Sequence, residues 1–420
     1  MEKFRKLGIL DNILKVIKEE NFEEPSEIQV KTIPLILEGK DIIGGSATGS
    51  GKTLAFGAGI IQRSERRRGI QAVILTPTRE LAEQIKKELK KFSKHKHLEV
   101  MAVYGGVSIT PQIHKLRDAD VVVGTPGRML DHLQRGTIDL LNVKILVLDE
   151  ADRMLDMGFI EDVERIISQC PKDRQTLLFS ATIPPDLADL SKKYMKNPAK
   201  ISAGTQVDPK KLKQVYYDVQ DNMKFSLLVH LLKNEKSALV MVFCNSRRTV
   251  DFVTNNLRAN SVDAQAIHGG YSQARRDKAL EHFHTKRAQV LVCTDVAARG
   301  LDIKGVSHVY NYDIPKESKQ YIHRIGRTAR AGSEGIAVNL LASRDHENYD
   351  HVLRDNDVKI PKEETPQMER ANVKWREKPQ SGFRGQGGFR GNSRSRSGGS
   401  GHSNPSHGRG SRRGPRHYHN

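Results

Sequence analysis

A chain of 420 residues with 37% hydrophobic content can bury two or three domain cores, and only three cysteines exclude a disulfide framework. A formal net charge of +19 favours a polyanionic partner, with nucleic acid the first candidate, and says nothing of fold. No apolar run reaches the roughly eighteen residues of a membrane span, and the N-terminal MEKFRKLGIL lacks the apolar block of a secretory signal, so a soluble cytoplasmic protein without membrane contact is expected.

From about Lys3 to Pro361, short β-branched apolar runs alternate with helix-like periodic segments, the pattern of a parallel sheet covered by helices. In chain order the candidate strands are DIIGG, AVILT, DVVVGT, ILVLDE and TLLFSAT, then QVYYDV, LVMVFCN, VLVCTD, VSHVYNY and IAVNLL. These exceed one compact unit, and the polar span 202–214, with Gly204 and Pro209, reads as a linker. Cys170, Cys244 and Cys293 lie apart in or beside apolar segments and read as reduced core thiols. From Pro366 to Asn420 there are ten Arg and two Lys against two Glu, amid many Gly and Ser. Such a segment has too few apolar side chains to offset ordering entropy and is expected to be disordered. The division is therefore 1–204, 205–361 and a basic tail 362–420.

Two stretches carry chemistry. DIIGGSATGSGKTLAF follows a strand and opens a helix, and its GSGKT ending resembles a P-loop, in which backbone N–H groups surround phosphates, Lys52 reaches the β/γ-phosphates and Thr53 binds Mg²⁺. Ser46 stands where the pattern has its first Gly. KILVLDEADRMLDMGF runs a buried strand into Asp149, Glu150 and Asp152. Capping a following helix is one use for these acids. Beside a P-loop, Asp149 is placed to hold Mg²⁺, Glu150 to polarise the attacking water and Asp152 to fasten the loop elsewhere.

DEAD together with ATGSGKT resembles the DEAD-box family of ATP-dependent RNA helicases, over roughly residues 4 to 345. NFEEPSEIQ is similar to its Q motif, PTRELA, Gly105-Gly106 and TPGR to its first-domain RNA motifs, and SAT to its coupling motif. VFCNS, SQARR, TDVAARGLD and YIHRIGRTARAG fill the remaining places in order. Asn21, Ser46, Gly270 and Ala329 depart from common family residues without removing a reactive group.

The resemblance implies two tandem RecA-like P-loop NTPase domains and an RNA-stimulated ATP hydrolase. ATP and Mg²⁺ would be held by Ser46, Ala47, Thr48, Gly49, Ser50, Gly51, Lys52, Thr53 and Asp149. Gln29 would read the adenine edge against the flat faces of Phe4 and Phe22, and Asp302 would meet the ribose. Glu150 would be the base, and Arg327 and Arg330 arginine fingers supported by His323 and Arg324. Ser180, Ala181 and Thr182 would couple to Asp152. RNA would lie on Pro77, Thr78, Arg79, Gly106, Thr125, Arg128, Arg276 and Thr294, with little sequence preference because these groups suit backbone. FRGQGGFRG in the tail interleaves Phe and Arg in a manner suited to flexible RNA and to protein partners. A monomer is expected. The competing readings are a nonenzymatic RNA-binding scaffold on this fold and a DNA helicase.

Overall fold

The structure is a computed structural model, and it describes residues 1–45, 50–202, 212–235, 237–298, 301, 303, 305–329, 334–356 and 358–374. Ser46, Ala47, Thr48, Gly49, Asp302, Arg330 and the tail beyond 374 lie outside the described residues.

Two parallel sheets are formed, each from one half of the chain. The first joins β1 (Ile42–Gly45), β2 (Ala72–Leu75), β3 (Val100–Val103), β4 (Val121–Gly124), β5 (Ile145–Asp149), β6 (Gln175–Ser180) and β7 (Ala199–Ser202) in the order β3-β4-β2-β5-β6-β1-β7. The second joins β8 (Leu212–Asp218), β9 (Leu239–Phe243), β10 (Ala264–Ile267), β11 (Val290–Cys293), β12 (Val306–Asn311) and β13 (Gly335–Leu341) in the order β10-β11-β9-β12-β13-β8. Parallel pairing demands crossover helices on both faces, so central strands are apolar throughout. Every residue of β2, β4, β5 and β6 is accordingly buried.

The ten strands expected from sequence are all present, and three more are found: β3, β7 and β10. Each of the three sits at a sheet edge. An edge strand has one neighbour and needs no continuous β-branched run; AQAI in β10 and AKIS in β7 carry none. Chain direction then brings the C-terminal ends of all strands in a sheet to one edge, where the functional loops collect. Helices start there on side-chain caps: Thr78 Oγ1 accepts from the Leu81 N–H at 3.3 Å, and Ser246 Oγ from the Thr249 N–H at 3.0 Å. Among the described residues no helix is long and apolar enough to cross a membrane.

The second half does not stop at 361. Residues 362–374, which sequence composition assigns to the tail, continue as an ordered strap against the second sheet's helices, with Met368, Ala371 and Val373 packed on the core. The three cysteines are buried and free, as core thiols.

At the other end of the first sheet, Asp41 is only 5% exposed and accepts the backbone N–H groups of Thr176 at 2.7 Å and Lys196 at 2.6 Å. Asp41→Ala would strand both donors, each at about 1–3 kcal/mol. The variant should lower the midpoint of thermal or urea unfolding accordingly; an unchanged midpoint would mean that water replaces the carboxylate without cost.

Candidate nucleotide and RNA sites

β1 precedes the Gly-rich motif, and the helix Lys52–Arg63 starts directly after Gly51, whose φ of +89° is a backbone geometry open to glycine. A Cβ at Gly51 would lie 2.4 Å from Gln29 Nε2. The closeness has a cause: Gln29 Nε2 donates to the Gly51 carbonyl at 3.0 Å, and Ser26 Oγ donates to the Ser50 carbonyl at 2.7 Å. Gln29 Oε1 meanwhile accepts from the Ser26 N–H at 3.0 Å, closing a capping box. One N–H and one lone pair of the Gln29 amide are left over, a donor and an acceptor side by side.

Lys52 Nζ lies 3.2 Å from Asp149 Oδ1, with both side chains under a tenth exposed. Burial pushes the Asp149 carboxyl above its ordinary range, opposed by the Lys52 charge and reinforced by Glu150. Glu150 itself has φ +53° and ψ +51°, an uncommon conformation for a residue with a Cβ, at the start of the helix Ala151–Asp156. That kink turns the chain sharply out of β5, and the Glu150 carboxylate is paired to the buried Arg153.

Asp152 joins this loop to the end of β6. Its Oδ2 accepts from the Thr182 N–H at 3.0 Å and the Thr182 hydroxyl at 3.1 Å, while its own N–H donates to Ser180 Oγ at 3.1 Å. Ser180 in turn donates to the Thr182 carbonyl at 2.6 Å, leaving Ala181 exposed between them. The two loops are thus one hydrogen-bonded unit.

A second site gathers guanidinium groups. Arg79 starts the helix Arg79–Phe92 after Pro77 and the capping Thr78, and Arg128 lies one turn into the helix that Thr125 precedes. Arg276 comes from the other sheet's helix Gln273–His284. Burial, together with the nearby Arg276 and Arg128 charges, lowers the Arg79 pKa, against the pull of Glu80. The Glu80 carboxylate, 5% exposed, holds Arg276 at 2.9 Å and the Gln273 amide at 3.1 Å, bridging the two halves. Buried atoms without a hydrogen-bond partner gather here: Arg128 Nη1, Arg276 Nε and Gln273 Oε1. Buried N–H donors left unpaired are costly and fit an anionic ligand.

Other expected residues fall elsewhere. Phe4 is fully buried in the first core, so its ring packs and presents no face to a base; Phe22 is 38% exposed and tilted against Phe92 at 6.3 Å. Arg324 has no exposed side-chain surface: it forks onto Asp295 with both contacts at 2.7 Å and also reaches Asn245 and Asn311. It ties β9, β11 and β12 loops together beneath the site. Arg327 is 4% exposed and donates to the Leu301 carbonyl at 2.6 Å and the His323 carbonyl at 3.3 Å. Thr294 lies at the end of β11, its carbonyl starting the helix Asp295–Ala298. Glu80 and Gln273 stand inside PTRELA and SQARR, yet nothing local marks them because their partners lie in other segments, whereas Arg153 pairs within its own motif, three residues from Glu150.

A Gly-rich motif ahead of a helix, a pair between that helix's first lysine and the carboxylate ending a core strand, and a cationic second site define a two-domain nucleotide-dependent enzyme acting on a polyanion. Family profiles agree: DEAD/DEAH box helicase matches residues 26–190, and helicase conserved C-terminal domain matches 223–332. The chain is 47% identical over 348 residues to the ATP-dependent RNA helicase CshA of Listeria monocytogenes, covering 82% of this chain and 67% of that one. It is 43% identical over 375 residues to the DEAD-box ATP-dependent RNA helicase CshA of Geobacillus kaustophilus, covering 88% and 80%. Among solved structures it is similar to S. cerevisiae Dbp5 bound to RNA and ADP BeF3, at TM-score 0.79 and 31% identity over 87% of this chain and 96% of that one. The chain belongs to the DEAD-box family of ATP-dependent RNA helicases.

Gly106, with φ +77°, packs so closely under Arg79 that a Cβ would sit 1.9 Å from Nη1. Gly106→Ala should displace that guanidinium and raise the RNA concentration for half-maximal ATPase about tenfold or more, the value of one charge-assisted hydrogen bond. ATP affinity should not move. Unchanged RNA dependence would remove Arg79 from the interface.

Proposed function

We propose that the chain couples ATP binding and hydrolysis at the Lys52–Asp149 end to capture and local remodelling of RNA at the guanidinium cluster. The observation that carries this reading is the convergence of Arg79, Arg128 and Arg276, with buried donors unpaired, from both halves of the molecule. RNA phosphate is a fitting partner, and an RNA strand across both halves would favour their closed arrangement. A strand held in this way can be bent out of duplex geometry, which separates it locally from its partner.

At the nucleotide end, Lys52 is suited to hold the β/γ-phosphates, and Gln29 to use its remaining donor and acceptor on the adenine edge. The residues fit a divalent cation: Thr53 and Asp149 would hold Mg²⁺, Asp149 being a buried carboxylate whose charge gains from a second cation. Mg²⁺ there would offset phosphate charge as it develops. Glu150 would accept the proton of the attacking water. Arg327, with Arg330, would meet the charge on the transferring phosphoryl, for which Arg327 must exchange its Leu301 carbonyl for phosphate oxygen. The hydrogen-bonded unit of Asp152, Ser180 and Thr182 would carry the state of one site to the other. The reading has the protein acting as a monomer in the cytoplasm, since no step needs a second copy.

Glu150→Gln tests the assignment. It should bind ATP and RNA and lose about two or more orders of magnitude in turnover; near-normal hydrolysis would exclude Glu150 as base. RNA and DNA of one sequence compared as ATPase stimulators separate the RNA reading from a DNA helicase, and no stimulation by either would favour a nonenzymatic scaffold.

A further inference from the structure

The turn that carries Gly105 and Gly106 is held from behind. It spans residues 104–108, between β3 and the helix Thr110–Leu116, and Arg79 lies along its other side, Nη2 standing 3.8 Å from where a Cβ at Gly105 would be. A turn with two adjacent glycines has little stiffness of its own. Its shape must come from bonds that other segments make.

One amide supplies most of them. Gln112, 6% exposed, donates from Nε2 to the Tyr104 carbonyl at 3.1 Å and to the Ser108 carbonyl at 3.4 Å, so a single side chain clasps both ends of the turn. Between these ends, Arg128 Nη2 donates to the Val107 carbonyl at 3.0 Å. Only the NH₂ end of an amide can serve two carbonyls, which fixes the orientation of Gln112 and turns its Oε1 the other way. There it faces Nε2 of His132 at 3.5 Å.

His132 has no exposed surface, and it follows Arg128 by four residues on the same face of the helix Pro126–Gln134. Burial, and after it the Arg128 charge, lower its pKa, so the ring is neutral at neutral pH. A neutral ring carries one N–H. The carbonyl oxygen of Gln112 can only accept, which puts that hydrogen on Nε2 and leaves Nδ1 to accept the Thr137 hydroxyl at 2.8 Å, nearer to it than the His132 carbonyl at 3.1 Å. The bonds then run one way, from Thr137 through His132 and Gln112 to the carbonyls of Tyr104 and Ser108. The His132–Gln112 contact is long, and its value lies in orienting the amide rather than in strength.

We propose that Gln112, oriented by His132, is a positioning residue for RNA capture: it holds the 104–108 turn in the shape against which the Arg79 guanidinium rests, and it locks that turn to the helix that carries Arg128. This rests on the reading that the guanidinium cluster binds RNA. Both side chains act from behind the turn. Without the clasp the Tyr104 and Ser108 carbonyls lose their donor and the glycines gain other conformations, and ordering them again on binding would subtract from RNA affinity. The loss falls on RNA capture, not on the chemistry of ATP.

The test measures ATPase of the full chain against oligouridine concentration. Gln112→Met keeps the volume and removes both donors; half-saturating RNA should rise about fivefold, the worth of about one net hydrogen bond, while turnover at saturating RNA and the KM for ATP stay at wild type. Lower turnover with unmoved half-saturation would reduce Gln112 to a support of the fold and overturn the positioning role. In a Gly106→Ala background, where Arg79 is already displaced, the same substitution should add less than about twofold; an undiminished rise there would show that Gln112 does not act through the seat of Arg79. The relay has its own readout, which also serves if Gln112→Met does not fold. His132→Gln keeps an N–H at the Nε2 position and should leave half-saturation near wild type, whereas His132→Asn reaches only the Nδ1 position and should raise it severalfold; equal values or the reverse order overturn the orienting role of His132. A wild-type ATPase that ignores RNA overturns the RNA reading itself, while an RNA-stimulated wild type matched by Gln112→Met at every RNA concentration overturns the positioning role alone.

Discussion

Three guanidinium groups drawn together from separate segments repel one another, and the structure tolerates them because Glu80 stands among them. Its carboxylate is nearly buried, takes Arg276 from the second half, and lies next in sequence to Arg79. A charge pair so placed is strong only while both partners stay desolvated, and removing either leaves the other stranded. The bridge therefore couples two facts: the halves meet, and the cationic site is assembled. Opening the cleft would expose Glu80 and disperse the arginines together, which would link anion affinity to domain closure.

The nucleotide end obeys a related constraint. Asp149 is pushed toward its neutral form by burial and by Glu150, and Lys52 opposes this. The carboxylates stand side by side because β5 ends in a left-handed kink at Glu150, which turns the chain at once into the loop that Asp152 fastens to Thr182. A local backbone cost at one residue is thus offset by hydrogen bonds made two residues later. Arg153 adds a restraint on the side chain proposed as base, because its guanidinium holds the Glu150 carboxylate by one oxygen, Oε2.

How much of this is legible in the sequence depends on what holds each piece. Central strands announce themselves because both faces are buried, and β2, β4, β5 and β6 read as apolar runs; β3, β7 and β10 at the edges do not. The motif residues could be quoted by resemblance, but which of them face a ligand is a matter of packing. Phe4 lies inside the first core, and Arg324 spends its guanidinium on Asp295, Asn245 and Asn311 beneath the surface. Glu80 and Gln273 were hidden for the opposite reason, since nothing local marks a partner supplied from the other half of the chain.

The strap marks the limit of composition as a guide. Residues 362–374 hold few apolar side chains, and by composition alone they belong with the segment that follows. What orders them is supplied by other parts of the chain: a free edge on β8, a serine on one helix and two asparagines a turn apart on the next. An amide ladder reads N–H and C=O groups that every residue but proline offers, while Met368, Ala371 and Val373 add side-chain packing on the core. Specificity comes instead from covalent attachment, because the strap is the extended chain that is always nearby.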